Sequence, residues 1–99
     1  MKRNKVLFIL SIFFLLAFVA EIPSQEKPPI FVIEVDGDIN PATGKFIIDS
    51  IEKATKQNAQ CLVIQLDTPG GGLESTRLIV KKMLSSSIPI IVYVSPTGA

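Results

Sequence analysis

Cys61-Leu-Val-Ile-Gln-Leu-Asp67-Thr-Pro-Gly-Gly-Gly72-Leu-Glu-Ser-Thr-Arg-Leu-Ile-Val80 is the stretch whose reading decides the fold. Cys61 to Leu66 is a short apolar, β-branched run of the kind that forms a buried strand. Asp67-Thr68-Pro69-Gly70-Gly71-Gly72 breaks it, and Leu73 to Leu84 then carries apolar residues at helical spacing. Thr76, Ile79, Val80, Met83 and Leu84 are expected on its packed face. Lys81 and Lys82 fall near the carboxyl end, where they suit the helix dipole.

The same alternation continues outward in both directions. Upstream, Ile30-Phe-Val-Ile-Glu-Val35 reads as a strand closed by Asp36-Gly37-Asp38. Asn40-Pro41 is a helix start, because Asn can cap and Pro suits the first helical position. From Ala42 to about Gln57, Phe46, Ile47, Ile51 and Ala54 make the expected apolar stripe. Downstream, Ile88-Pro-Ile-Ile-Val-Tyr-Val94 is a third strand, with Pro89 tolerable near its start. The order β-α-β-α-β, with connections of this length, implies right-handed crossovers and a parallel α/β sheet. Weak alternation in all three strands implies cover on both faces. Two helices cover little more than one, so a second layer is expected from further chain, a partner or oligomerisation.

Residues 1–20 read differently. Lys2, Arg3 and Lys5 precede the apolar run Val6–Ala20, the pattern of a secretory signal peptide. The run is fifteen residues, against roughly 20 for a spanning helix. The preceding charge predicts a cytoplasmic amino terminus and export of the rest to the periplasmic or extracytoplasmic face of the membrane. Ala20 is small but Phe18 is not, so cleavage after Ala20 or Ser24 and retention as an uncleaved anchor all stay open. Residues 21–29, with Pro23, Pro28 and Pro29, form an extended linker, and residues 30–99 the folded part.

Composition narrows the function classes. The chain has 99 residues, 47% of them hydrophobic, and a net charge of +1. Removing the three leader cations leaves seven basic against nine acidic residues, and no basic patch interleaved with aromatics, so nucleic-acid binding is excluded. The absence of histidine excludes a Ser-His-Asp triad, a Cys-His pair and a histidine-built zinc site within these residues. The one cysteine, Cys61, is expected to behave as a small buried hydrophobe.

The Asp67–Gly72 turn is the element that carries chemistry. It lies at the carboxyl end of a parallel strand, where ligand sites gather. Its glycines admit positive φ and close backbone approach, and the first turn of the next helix leaves N–H groups unpaired. Such a corner suits an anion or a carbonyl oxygen that becomes an oxyanion. It is equally readable as a tight β-to-α turn. A P-loop would need Gly-Lys-Ser/Thr where Gly72-Leu73-Glu74 stands. The dinucleotide fingerprint is likewise absent, and Glu74 would repel a phosphate, so a neutral carbonyl fits better. Asp67 reads as a residue that fixes the turn by accepting local N–H bonds rather than as a metal ligand.

Val-Ile-Gln-Leu-Asp67-Thr-Pro-Gly-Gly71, the following amphipathic helix, and Ser87-Ile-Pro-Ile-Ile-Val-Tyr-Val-Ser95-Pro-Thr-Gly-Ala99 together resemble the NfeD family, as does Phe31-Val-Ile-Glu-Val-Asp-Gly-Asp-Ile-Asn-Pro41. These are membrane-bound serine proteases of the ClpP class, with a ClpP/crotonase-like fold. The resemblance spans Ile30 to Ala99 and implies the amino-terminal part of such a domain. It implies oxyanion-hole N–H groups at Gly70 and Gly71, with Asp67 and Pro69 supporting the turn. The family's nucleophilic serine lies in an Ala-Ser-Ala-Gly-type segment past the third strand, and its general base is a lysine further on. No residue here occupies either position, so the chain is expected to be a fragment truncated before its catalytic serine and inactive alone. Ser95 is followed by Pro96, Ser75 opens a helix, and Ser85-Ser86-Ser87 reads as a loop. Lys45, Lys53, Lys56, Lys81 and Lys82 lie on solvated helix faces, wrong for a base that must be desolvated. The resemblance further implies a protein substrate of the stomatin-like membrane class, a homo-oligomer in the full-length form, and no cofactor or metal. Two other readings stay open: a crotonase-like acyl-thioester enzyme, and a non-catalytic membrane-anchored binding module.

Overall fold

The computed structural model describes residues 2–20 and 26–95. Helix α1 (Lys2–Ala20) is followed by β1 (Ile30–Asp36), α2 (Pro41–Lys56), β2 (Cys61–Asp67), α3 (Leu73–Leu84) and β3 (Ile90–Val94). Residues 21–25 of the expected 21–29 linker, a cleavage point after Ser24 and the closing 96–99 segment lie outside the described residues. In α1, the side chains from Val6 to Leu15 are exposed. Among the described residues, no helix is long and apolar enough to cross a membrane.

The three strands form one parallel sheet in the order β1-β2-β3. Register runs Val32↔Val63↔Ile91 and Glu34↔Gln65↔Tyr93 across it. Crossovers of one hand between sequential neighbours put both helices on the same face. Burial agrees: Val35, Leu62 and Ile64 on that face pack with Ile47, Ile51 and Ala54 of α2 and Ile79 of α3. Ile51 and Leu62 are the largest side chains closed off from solvent. Each such burial stabilises the fold by about 1.5–3 kcal/mol.

Local signals set the element ends. Asn40 caps α2, its Oδ1 accepting the Thr43 N–H at 2.9 Å, and Pro41 opens the helix without losing a bond. At the other end Asn58 takes a left-handed φ of 52°, and the Ala59 N–H returns to the Ala54 carbonyl. The segment just before β1 is tied to the fold where the Pro29 carbonyl accepts the Gln60 N–H.

Four expectations need correction. The packed stripe of α3 is Ser75, Ile79 and Met83, not Thr76, Val80 and Leu84. Gly44 on α2 admits α3 closely, with Ser75 Cβ and Ile79 against it, so a small polar residue takes the contact position. Leu84 is left 84% exposed. Phe46 is half exposed at the margin of the α2 stripe. Strand β3 begins at Ile90 because Pro89 has no N–H, and contributes only its carbonyl, to the Leu62 N–H. Cys61 is only partly buried, on the sheet face that the helices leave open. That face also presents Ile30, Val32, Ile91 and Tyr93, each roughly half exposed.

Candidate functional site: the Asp67–Gly72 corner

The corner is built where β2 hands over to α3, and a second corner, β1 to α2, lies beside it. Asp36 and Asp67 are register partners at the strand ends. The Asp67 carbonyl accepts the Gly37 N–H at 2.9 Å, which ties the first turn to the second strand. Gly37 itself has a φ of +102°. Beyond this, Ile39 and Gly71 form a parallel bridge. The Ile39 N–H donates to the Gly70 carbonyl at 2.9 Å, and the Gly72 N–H donates to the Ile39 carbonyl at 2.8 Å. Ile39 is buried, so the clasp rests on the core rather than on solvent.

Each residue singled out from sequence has a definite place. Pro69 is exposed at the outer bend. Gly70 has a φ of +127°, a conformation residues with a Cβ rarely adopt. Its N–H donates to Thr68 Oγ1 at 3.1 Å, so it is not free. Gly71 is pressed against Ile39: a Cβ there would overlap the Ile39 carbonyl oxygen and stand 2.6 Å from its carbonyl carbon and Cα. The Gly71 N–H has no partner among the described residues. In this bridge Ile39 bonds to Gly70 and Gly72 on either side of Gly71, so the Gly71 N–H points away from Ile39, which aims this donor outward. The Asp67 carboxylate accepts no hydrogen bond among the described residues; the local side-chain bond in the turn comes from Thr68 instead. Of the pair expected as donors, the corner thus offers Gly71 and holds Gly70 back.

Helix α3 starts immediately behind. Gly72 is its N-cap and provides no side-chain cap, so the first-turn N–H groups of Leu73, Glu74 and Ser75 are unpartnered among the described residues. The dipole there is positive, yet the side chains around the corner, Asp36, Asp38, Asp67 and Glu74, are acidic. This combination disfavours a phosphate or other resident anion. It accommodates a neutral carbonyl oxygen that takes up charge only transiently. Among the described residues, no cluster of Cys, Asp and Glu could hold a metal ion. Ser75 is buried against Gly44 and faces α2. Lys45 and Lys82 are held in ion pairs with Asp49 and Glu52 on the helix surface.

Two parts of the corner escaped sequence reading. Ile39 acts through its main chain, which leaves no compositional trace. Thr68 had a readable signal, a hydroxyl two residues before a glycine of positive φ.

Comparison with known proteins gives the family. The chain is 36% identical over 77 residues to the membrane-bound protease PH1510 of Pyrococcus horikoshii, covering 78% of this chain and 18% of that protein. It is 27% identical over 70 residues to membrane protein NfeD1b of Bacillus subtilis, covering 71% of this chain and 16% of that one. The chain thus spans less than a fifth of these relatives, 18% and 16%. Its fold is similar to that of a serine-to-alanine mutant of the 1510-N membrane-bound stomatin-specific protease, with a TM-score of 0.71 at 36% identity, covering 76% of this chain and 36% of that one. A lysine-to-alanine mutant of the same protease, in complex with a substrate peptide, gives a TM-score of 0.70 at 36% identity and covers 76% and 34%. Residues 29–98 match the family described as NfeD1b, N-terminal domain. That match spans well over half of the chain, and the chain belongs to the NfeD1b N-terminal domain family.

Proposed function

We propose that this chain is the amino-terminal part of a membrane-associated Ser-Lys protease of the ClpP/crotonase-like class, and that the Asp67–Gly72 corner donates a main-chain N–H to the oxyanion formed during peptide-bond attack. The observation that carries the reading is the outward Gly71 N–H, without a partner among the described residues and clamped from behind by the Ile39 bridge. A donor fixed before the reaction costs no reorganisation when charge develops, which is the condition for oxyanion stabilisation. The relatives support the chemistry: solved structures include mutants that replace a serine and a lysine, the second holding a substrate peptide.

In this reading residues 1–20 are a signal peptide or uncleaved anchor, 21–29 a linker, and 30–99 the first part of the protease domain. The protein works at the extracytoplasmic face of the membrane. Its substrates are hydrophobic membrane-linked polypeptides of the stomatin-like class, and the working form is a homo-oligomer. Nucleophile and base belong to residues outside these 99. An oxyanion donor without a nucleophile stabilises a charge nothing has created, so the 99 residues alone hydrolyse nothing.

The test is to read the coding frame beyond Ala99 and assay the resulting protein on a hydrophobic stomatin-derived peptide. An Ala-Ser-Ala-Gly-like segment downstream, with hydrolysis abolished by replacing its serine, is the expected result. Unchanged hydrolysis after that replacement, or a frame without any such serine, refutes the proposal.

A further inference from the structure

Thr68 touches the corner at two points. Its Oγ1 accepts the Gly70 N–H at 3.1 Å and donates to the Gly70 carbonyl at 3.1 Å. The Gly70 carbonyl also accepts the Ile39 N–H at 2.9 Å. That carbonyl and the Gly71 N–H belong to one planar trans peptide unit, so they point in opposite directions. Whatever holds the Gly70 oxygen inward therefore holds the Gly71 N–H outward. The unit is flanked by two glycines, the residues that resist rotation of a peptide plane least. Two donors, one from the buried main chain of Ile39 and one from the Thr68 hydroxyl, are what oppose that rotation.

We infer that Thr68 is the positioning residue of the corner: its hydroxyl locks the Gly70–Gly71 peptide plane with the Gly71 N–H outward, and by occupying the Gly70 N–H it leaves Gly71 as the donor of the glycine pair. The inference rests on the oxyanion reading above and names the side chain that sets it. A peptide plane held by Ile39 alone samples the flipped orientation, in which an oxygen faces the place where negative charge develops. Loss of the hydroxyl thus acts on the transition state and leaves ground-state binding of the substrate chain in place.

The experiment compares Thr68→Val, of similar shape without the hydroxyl, with Thr68→Ser, which keeps it, in the full-length protease. On the peptide substrate, Thr68→Val is expected to lower kcat by about 10-fold or more with KM within about twofold, and Thr68→Ser to restore most of the loss; complete removal of an oxyanion donor costs about 10²–10³. In parallel, ¹⁵N spectra of the 99-residue chain report the geometry without catalysis. Thr68→Val is expected to accelerate exchange of the Gly70 amide and double the Gly71 resonance, while the Ile39 amide stays protected and certifies the fold. Equal kcat for wild type and Thr68→Val, or Gly70 and Gly71 amides that ignore the substitution, overturns the role of Thr68 and leaves the oxyanion reading standing. An inactive wild-type protease overturns the oxyanion reading, and the spectra then decide the geometry of the turn alone.

Discussion

Gly71→Ala is the substitution that most directly tests the construction of the corner. Its Cβ would overlap the Ile39 carbonyl oxygen and lie 2.6 Å from two further Ile39 backbone atoms. No side-chain rotation relieves a clash between Cβ and backbone, so the two turns must separate. Separation loses the Ile39-to-Gly70 and Gly72-to-Ile39 hydrogen bonds, at about 0.5–1.5 kcal/mol each. Forcing an extra methyl into a closed contact adds about 1–3 kcal/mol. The expected destabilisation is about 2–6 kcal/mol, the lower end applying where Gly70 and Gly72 let the loop slide away. Urea unfolding should show it as a lower midpoint at unchanged slope. Amide exchange should accelerate at Ile39 and Gly72 before it does in the sheet. Gly72→Ser is the neighbouring control: a Cβ there has no atom nearer than 3.9 Å, and a serine cap contributes a few tenths of a kcal/mol. A Gly71→Ala protein with wild-type midpoint and protected Ile39 and Gly72 amides would refute the bridge as described.

Three further outcomes follow from the rest of the fold. Gly44→Ala should raise stability by about 0.5–1 kcal/mol in the same melt, since its Cβ would meet Ser75 Cβ at an ordinary 3.7 Å while helix propensity improves. Asn40→Ala should lower it by about 1 kcal/mol and fray the first turn of α2, visible as faster exchange of the Thr43 amide. The side-chain hydrogen bond that Lys45 donates to Asp49 at 2.7 Å, and then the Asp49 charge, hold the Lys45 ammonium above its usual 10.5. A raised folded-state pKa means this contribution is fully present below 10.5 and lost as pH rises through the folded value. In an alkaline NMR titration Lys45 should therefore deprotonate above 10.5 in the folded protein, and Asp49→Asn should remove the shift.

How much was legible in the sequence varies by the range of the interaction involved. Helix α3 runs from Leu73 to Leu84 as its pattern predicts, because Gly72 and Ser85 bound it locally. The Asn40 cap was equally local. The face of α3 was not, since its position is set by Gly44 on another helix, and a buried Ser75 counts as polar in any pattern of hydrophobicity. The glycine turn was readable as a strand-to-helix corner. Which of its amides is free was not, because Ile39 and Thr68 decide that through hydrogen bonds whose partners no residue type announces.

The uncovered sheet face is graded along its strands. Near their amino ends it shows Ile30, Cys61, Val32, Val63 and Ile91; one register step from the carboxyl ends it turns to Glu34, Gln65 and Tyr93, and then to Asp36 and Asp67. Any layer laid over it gains its apolar contact at the greasy end, far from the glycines. The hydrophilic end is left wet, and under the proposed reading that margin beside the corner supplies the water a peptide hydrolysis would consume.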